Sequence, residues 1–187
     1  RYTMDLIVLV KYHPILQHLP SSLYTELALH MNQHMISKTN IFNFGSPDFI
    51  MAMIRKFRPL IVMAGDCIIR AGEIAEEMYF LQKGEVEVLA TDNQTLIAVL
   101  KEGSFFGEIG LILTGKRTVY VRALTLCILQ VMNKSDFEDL MSVYPNEYLF
   151  FKKVARQRAK TCNPSDVNNA VNMLIFLNNF SRRMKLK

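Results

Sequence analysis

The spacing of apolar residues divides the chain into three stretches. Before about residue 57 and after about residue 134 they recur at helical intervals; between Leu60 and Val131 they gather in short runs. In the first stretch, residues 1–46 read as helical with breaks at Pro14 and Pro20. Ser21 or Ser22 suits a helix cap with Glu26 in the opening turns, and Leu23, Leu27, Met31, Met35 and Ile36 recur along one helix. A second short helix is predicted over Asp48–Lys56, with Phe49, Ile50, Met53 and Ile54 inward, stopping before Pro59. The period then changes. Leu60–Met63, Cys67–Ile69, Met78–Leu81, Val86–Leu89, Leu96–Leu100, Val119–Val121 and Leu126–Val131 are short runs rich in β-branched and aromatic residues. Turn pairs such as Gly65-Asp66, Lys83-Gly84 and Asp92-Asn93 separate them. Many short strands with tight turns predict a sandwich or jelly roll. Helical spacing resumes at Ser135, with Asp136 and Glu138 in a first turn, and again from Pro145 to about Thr161, with Leu149, Phe150, Phe151 and Val154 as its apolar face. A last helix is predicted from about Asp166 to Phe180.

One run breaks the strand series. Gly103-Ser-Phe-Phe-Gly-Glu-Ile-Gly110 carries three glycines and a carboxylate, and Lys116-Arg117-Thr118 follows shortly after. Glycines let backbone N–H groups approach a ligand closely. The apolar residues after Gly107 suit a short helix, whose N-terminus favours an anion. Arg117 offers a planar fork of donors for phosphate, and Thr118 adds a hydroxyl. Glu108 would repel phosphate unless it faced something else, and a sugar hydroxyl is a natural partner. The set suits a phosphate joined to a sugar.

Composition narrows the remainder. Half of the 187 residues are apolar, enough for a substantial core, and no run approaches the ~20 apolar residues of a membrane span. No signal peptide is visible, and a chain opening on Arg1 is expected to be part of a longer protein. Cys67, Cys127 and Cys162 have no metal-like spacing, which fits a reduced cytosolic setting. His30 and His34 lie four apart but lack a third ligand, so no metal is expected. The net charge of +5 is concentrated at the end: from Glu147 onward nine Lys and Arg stand against two acids, an excess available to acidic lipid or an acidic partner.

Phe106-Gly-Glu-Ile-Gly-Leu-Ile112 followed by Lys116-Arg-Thr-Val119 resembles the phosphate-binding cassette of cyclic-nucleotide-binding domains. The nearest resemblance is to hyperpolarisation-activated and cyclic-nucleotide-gated channels. Gly65–Glu73, Met78–Glu85, Thr118–Ala123 and Tyr144-Pro145 extend it over roughly Ser21 to Thr161. The resemblance implies an α+β fold, with an antiparallel β jelly roll between N-terminal linker helices and C-terminal lid helices. It divides the chain into a linker remnant at 1–46, a cyclic-nucleotide-binding domain at 47–162 (roll about 58–133, lid about 135–161) and an extension at 163–187. It implies a regulatory ligand, cAMP or cGMP, with no catalysis and no metal. The backbone of Gly107, Glu108, Ile109 and Gly110 and the side chain of Arg117 would hold the cyclic phosphate, with Phe106 also among the ligand-binding residues. Glu108 would accept from the ribose, Thr118 would donate to phosphate or base, Val88 and Leu100 would pack the purine, and Arg158 would close over it from the lid.

Val119 stands where the family usually has alanine, which bears on affinity. No acid stands near Cys162, where cGMP-selective channels carry one, and this leans to cAMP. The parent is expected to be a tetrameric cation channel, assembled through the linker helices, with this region on the cytoplasmic side of the plasma membrane. The alternatives are a kinase regulatory subunit, another cyclic-nucleotide effector, or a channel domain with a weak or lost ligand response. A kinase subunit usually has alanine at the position of Thr118 and two tandem domains. Too few residues follow Thr161 for a helix-turn-helix, so no nucleic-acid partner is expected.

Overall fold

The computed structural model describes residues 20–39 and 45–161. The first nineteen residues and the helix expected over 166–180 lie outside them. Helix α1 (Ser21–Lys38) precedes α2 (Pro47–Lys56). Ser46 caps α2, its Oγ accepting from the N–H of Phe49 at 3.3 Å. Pro47 occupies the first turn, Asp48 lies near the positive end of the helix dipole and Arg55 and Lys56 near its negative end. The helix ends at Phe57, held extended, two residues before Pro59.

Eight strands follow: β1 (Arg58–Val62), β2 (Cys67–Ile69), β3 (Glu77–Lys83), β4 (Glu85–Leu89), β5 (Leu96–Lys101), β6 (Phe105–Phe106), β7 (Tyr120–Ala123) and β8 (Cys127–Asn133). They form two antiparallel four-stranded sheets, ordered β1-β8-β3-β6 and β2-β7-β4-β5. The architecture is an antiparallel jelly roll with flanking helices.

Within the first sheet β3 and β8 are buried on both faces and read as nearly continuous apolar runs rather than as alternating ones, whereas β1 is largely exposed. One face of each turns into the sandwich: Tyr79, Leu81, Leu129 and Val131 meet Val86, Val88, Leu100 and Val121 of the second sheet. The other face turns outward under the helices. There Met78, Phe80 and Met132 meet Phe49, Met53 and Phe57 from the α2 side, and Phe137 and Phe151 from the C-terminal helices. Aromatic edges and faces interlock in this second core, with Phe57 and Phe80 centred 4.8 Å apart and Phe137 and Phe151 5.2 Å apart.

The C-terminal helices are α3 (Lys134–Val143) and α4 (Pro145–Thr161). Helix α3 starts one residue before the expected Ser135. Asn133 is its flanking residue, yet the Asn133 side chain accepts from Arg58 rather than capping the helix. The apolar face of α4 also differs from expectation. Phe151, Val154, Ala155 and Arg158 point inward, whereas Leu149 is 63% exposed. Helix α1 rests Leu29 and Ile36 on the helix-side core, and its end meets the β5–β6 turn at Gly103. A Cβ on Gly103 would lie 2.7 Å from both the Cβ and the carbonyl oxygen of Lys38. Lys38 and Glu102 form a 2.7 Å ion pair across the same seam.

Candidate functional site

The glycine run leaves strand geometry directly after β6. Gly107 has φ +87°, and a Cβ there would sit 2.9 Å from Nη1 of Arg117 and 3.3 Å from the carbonyl of Glu77. Only glycine combines that conformation with that proximity. From Glu108 the chain enters a helical turn, as expected, but it widens into a π-type turn over Gly110–Thr114. Gly115 N–H closes it on the Gly110 carbonyl at 2.8 Å. Such widened turns recur at functional sites. The N–H groups of Glu108, Ile109 and Gly110 open the turn, where backbone donors lack partners within a helix.

Arg117 is held at both ends. Its backbone N–H donates to Glu73 at 2.8 Å, and its carbonyl accepts from Gly72 at 2.9 Å. Its guanidinium donates through Nη1 to the Gly107 carbonyl at 3.1 Å and lies 5.7 Å from the centre of the Tyr79 ring. The residue is only 8% exposed, and among the described residues no carboxylate lies within ion-pair distance of it. Burial lowers its pKa from the usual arginine value, the direction expected of a cation taken out of water. Burial also pushes the Tyr79 hydroxyl up to about 12, with the nearby Glu77 charge acting in the same direction. The neutral phenol donates to Glu77 at 3.1 Å.

Glu108 is buried at the opposite end, 1% exposed. Nη1 of Arg158, on α4, donates to Glu108 Oε1 at 2.8 Å and to the Phe105 carbonyl at 2.8 Å. The same guanidinium stacks 4.6 Å over the Phe105 ring. Helix α4 is thereby tied to the glycine turn through a buried ion pair between residues 50 apart in sequence.

Between the two arginines lies a cavity of about 50 Å³. Phe106, Gly107, Glu108, Ile109 and Gly110 form one wall, and Arg117, Thr118 and Val119 form a second. Val88 and Leu100 face them from β4 and β5, and Arg158 closes the side toward α4. All eleven residues singled out from the sequence therefore line one space. Ile69 and Val121 complete the lining and were not singled out: in sequence they look like ordinary inward strand residues. Among the described residues, no group of three or more His, Cys, Asp or Glu side chains is placed to hold a metal ion.

The cavity thus combines one buried cation without a carboxylate, a glycine-rich turn presenting backbone donors, a buried carboxylate and an apolar floor. That is a chemistry for an anionic group attached to a polar ring and a flat apolar one.

Comparison with known proteins agrees. Residues 60–144 match the family model for the cyclic nucleotide-binding domain. The chain is 31% identical over 160 residues to the human cyclic nucleotide-gated channel beta-1, an alignment covering 83% of this chain and 13% of that protein. It is 31% identical to the mouse cyclic nucleotide-gated channel alpha-4, covering 82% and 28%. It is 35% identical over 144 residues to the human potassium/sodium hyperpolarization-activated cyclic nucleotide-gated channel 2, covering 77% and 16%. The chain thus spans less than a third of the length of these relatives. These relatives are channels, not enzymes, and among the described residues no helix is long and apolar enough to cross a membrane. Residues 60–144 belong to the cyclic nucleotide-binding domain family, in the form found in cyclic nucleotide-gated and hyperpolarization-activated channels.

Proposed function

We propose that this region is the ligand sensor of a cyclic-nucleotide-regulated cation channel, binding cAMP or cGMP and passing its occupancy to a pore elsewhere in the protein. The observation that carries the reading is Arg117, a buried guanidinium with no carboxylate in ion-pair contact and only the more distant charges of Glu77 and Glu73 near it, adjoining the donors of the Gly107 turn. A buried cation without a directly paired anion is costly, and a cyclic phosphate monoanion supplies one. In this reading Arg117 and the turn take the phosphate, Glu108 accepts from the ribose 2′-hydroxyl, and Thr118 donates to phosphate or base. Val88 and Leu100 pack against the purine, Val119 stands near the phosphate, and Arg158 faces the nucleotide from α4.

The ~50 Å³ of space is small beside the ~300 Å³ or more usual for a small-molecule site. Admitting a nucleotide therefore goes with movement of α4, and the tie between Arg158 and Glu108 makes that movement sensitive to what Glu108 contacts. The ligand shifts the balance between α4 positions only by its differential affinity for them, typically ~1–3 kcal/mol of coupling. The N-terminal helices lead toward the pore and assemble four subunits on the cytoplasmic side of the membrane.

Calorimetric titration with cAMP and cGMP tests the site. Arg117→Glu is expected to abolish binding of both, and unchanged affinity would overturn the assignment. The absence of an acid near Cys162 leads to an expected preference for cAMP. Removing residues 1–46 is expected to leave binding largely intact while abolishing ligand-dependent oligomerisation; loss of binding would contradict a modular sensor.

A further inference from the structure

The outer face of α4 gathers several cations that, among the described residues, no carboxylate pairs. Lys152, Lys153, Arg156 and Lys160 project from the side opposite Phe151, Val154 and Arg158. Three of them, at intervals of four residues, form a stripe about 12 Å long at the rise of an α-helix. Seven other cations, Lys38, Lys56, Arg58, Arg70, Lys101, Arg122 and Lys134, each sit within ion-pair distance of a carboxylate. None of the four on α4 has a carboxylate so placed among the described residues. The nearest acid in sequence, Glu147, is turned toward α2, where it accepts from Ser46 N–H at 3.4 Å.

The segments outside the described residues do not offer the missing charge. Residues 1–19 hold one acid, Asp5, residues 40–44 hold none, and residues 162–187 hold one, Asp166, against four Lys and Arg. The side chains border a shallow recess of about 480 Å³, with the exposed Leu149 at its N-terminal end. Insertion into a bilayer draws on a broad apolar face, and Leu149 is the single large apolar side chain on this one. A stripe of cations ending on one apolar residue suits an extended acidic segment with an apolar anchor.

We propose that the outer face of α4 is a docking surface for an acidic protein segment from outside this sequence. Its carboxylates run along Lys152, Arg156 and Lys160, and an apolar residue seats on Leu149. The surface is separate from the cyclic-nucleotide cavity and does not depend on what that cavity binds.

The test uses the 187-residue chain and a fluorescein-labelled peptide of alternating Glu and Leu, followed by fluorescence anisotropy. Binding is expected to weaken steeply with added salt. It is expected to fall at least tenfold when Lys152→Glu, Lys153→Glu, Arg156→Glu and Lys160→Glu are combined. Lys152→Gln with Arg156→Gln, a milder change at a half-buried and an exposed position, is expected to lose a smaller part, and Leu149→Ser is expected to weaken binding without altering its salt dependence. Unchanged affinity in both charge variants, with thermal unfolding intact, overturns the proposal. So does binding of phosphatidylcholine vesicles containing phosphatidylserine that depends on the four cations while the peptide does not bind, because the surface would then be one for anionic membrane.

Discussion

The two ends of the cavity rest on different foundations. Arg117 belongs to the roll. Its backbone is pinned to the loop at Gly72 and Glu73, and the core between the sheets beneath it is largely aliphatic, built from Val, Leu, Ile and Ala with Tyr79 and Phe106. Arg158 belongs to the helices. Its support is a core of Phe and Met side chains, among them Phe49, Phe57, Phe80, Phe137, Phe151, Met53 and Met132. β-Branched residues on a pleated surface are stiff at χ1, whereas methionine adapts to irregular and changing gaps. The Arg117 end is therefore preorganised and the α4 end rests on the more adaptable support. The proposed sensor needs both, since one end must recognise its ligand without rearranging and the other must rearrange on recognition.

The largest expected effect is on the helix side. Phe151→Ala removes a fully buried ring that touches Phe105, Phe137 and Phe150, and should cost about 3–5 kcal/mol in urea unfolding. Hydrogen exchange should then show α4 opening well before the strands. Uniform opening of both would remove the distinction between the two ends. Glu108→Ala acts at the joint between them. It leaves Arg158 buried without its carboxylate, at a cost of a similar ~3–5 kcal/mol, and Arg158→Met in the same chain should recover much of the loss. If the double variant is no more stable than Glu108→Ala, the pair is not what holds α4.

On the roll side, Tyr79→Phe carries the pH dependence. The folded protein keeps the Tyr79 phenol neutral up to about pH 12, whereas in the unfolded chain it ionises near the ordinary value of 10. Its contribution is complete below pH 10 and is lost as pH rises to 12. The wild-type chain should therefore lose about 2 kcal/mol more stability across that window than Tyr79→Phe does. Parallel curves for the two would show that burial of the phenol has no such consequence. Arg117→Lys keeps the charge but loses the fork, and should weaken cyclic-nucleotide binding by about tenfold with little change in unfolding, since no carboxylate is left without its partner. The smallest effect is expected from Met132→Leu. At under ~1.5 kcal/mol it measures how readily the helix-side core repacks.

These differences were unequally legible in the sequence. The cassette could be read because its chemistry is contiguous: the glycines, Glu108 and the Arg117-Thr118 pair fall within sixteen residues, Gly103 to Thr118. The strands could be read because turn pairs bracket them. The pairing of Glu108 with Arg158 could not, because no local periodicity relates residues 50 apart. Ile69 and Val121 stayed hidden because alternation shows which face a strand residue takes, not whether that face borders a cavity. At the start of α3, Ser135 looked like the first helical residue from residue preference alone, whereas the helix begins at Lys134 and the flanking Asn133 side chain accepts from Arg58 instead of capping it. Leu149 looked inward by type. The buried positions Phe151, Val154, Ala155 and Arg158 define the inner face, which puts Leu149 on the other side of α4.

The seam at Gly103 has a mechanical consequence. With a hypothetical Cβ only 2.7 Å from Lys38 backbone and side chain alike, α1 and the β5–β6 turn have no clearance in which to slide. They behave as two parts keyed together, and the keyed turn leads within two residues into Phe105 and Phe106, which border the site. A methyl group added at 103 would act as a shim against Lys38, and at φ +84° it would also strain the turn that carries it. The push would reach α1 on one side and, through the turn, the β6 edge of the cavity on the other, so helix and cavity would be disturbed together.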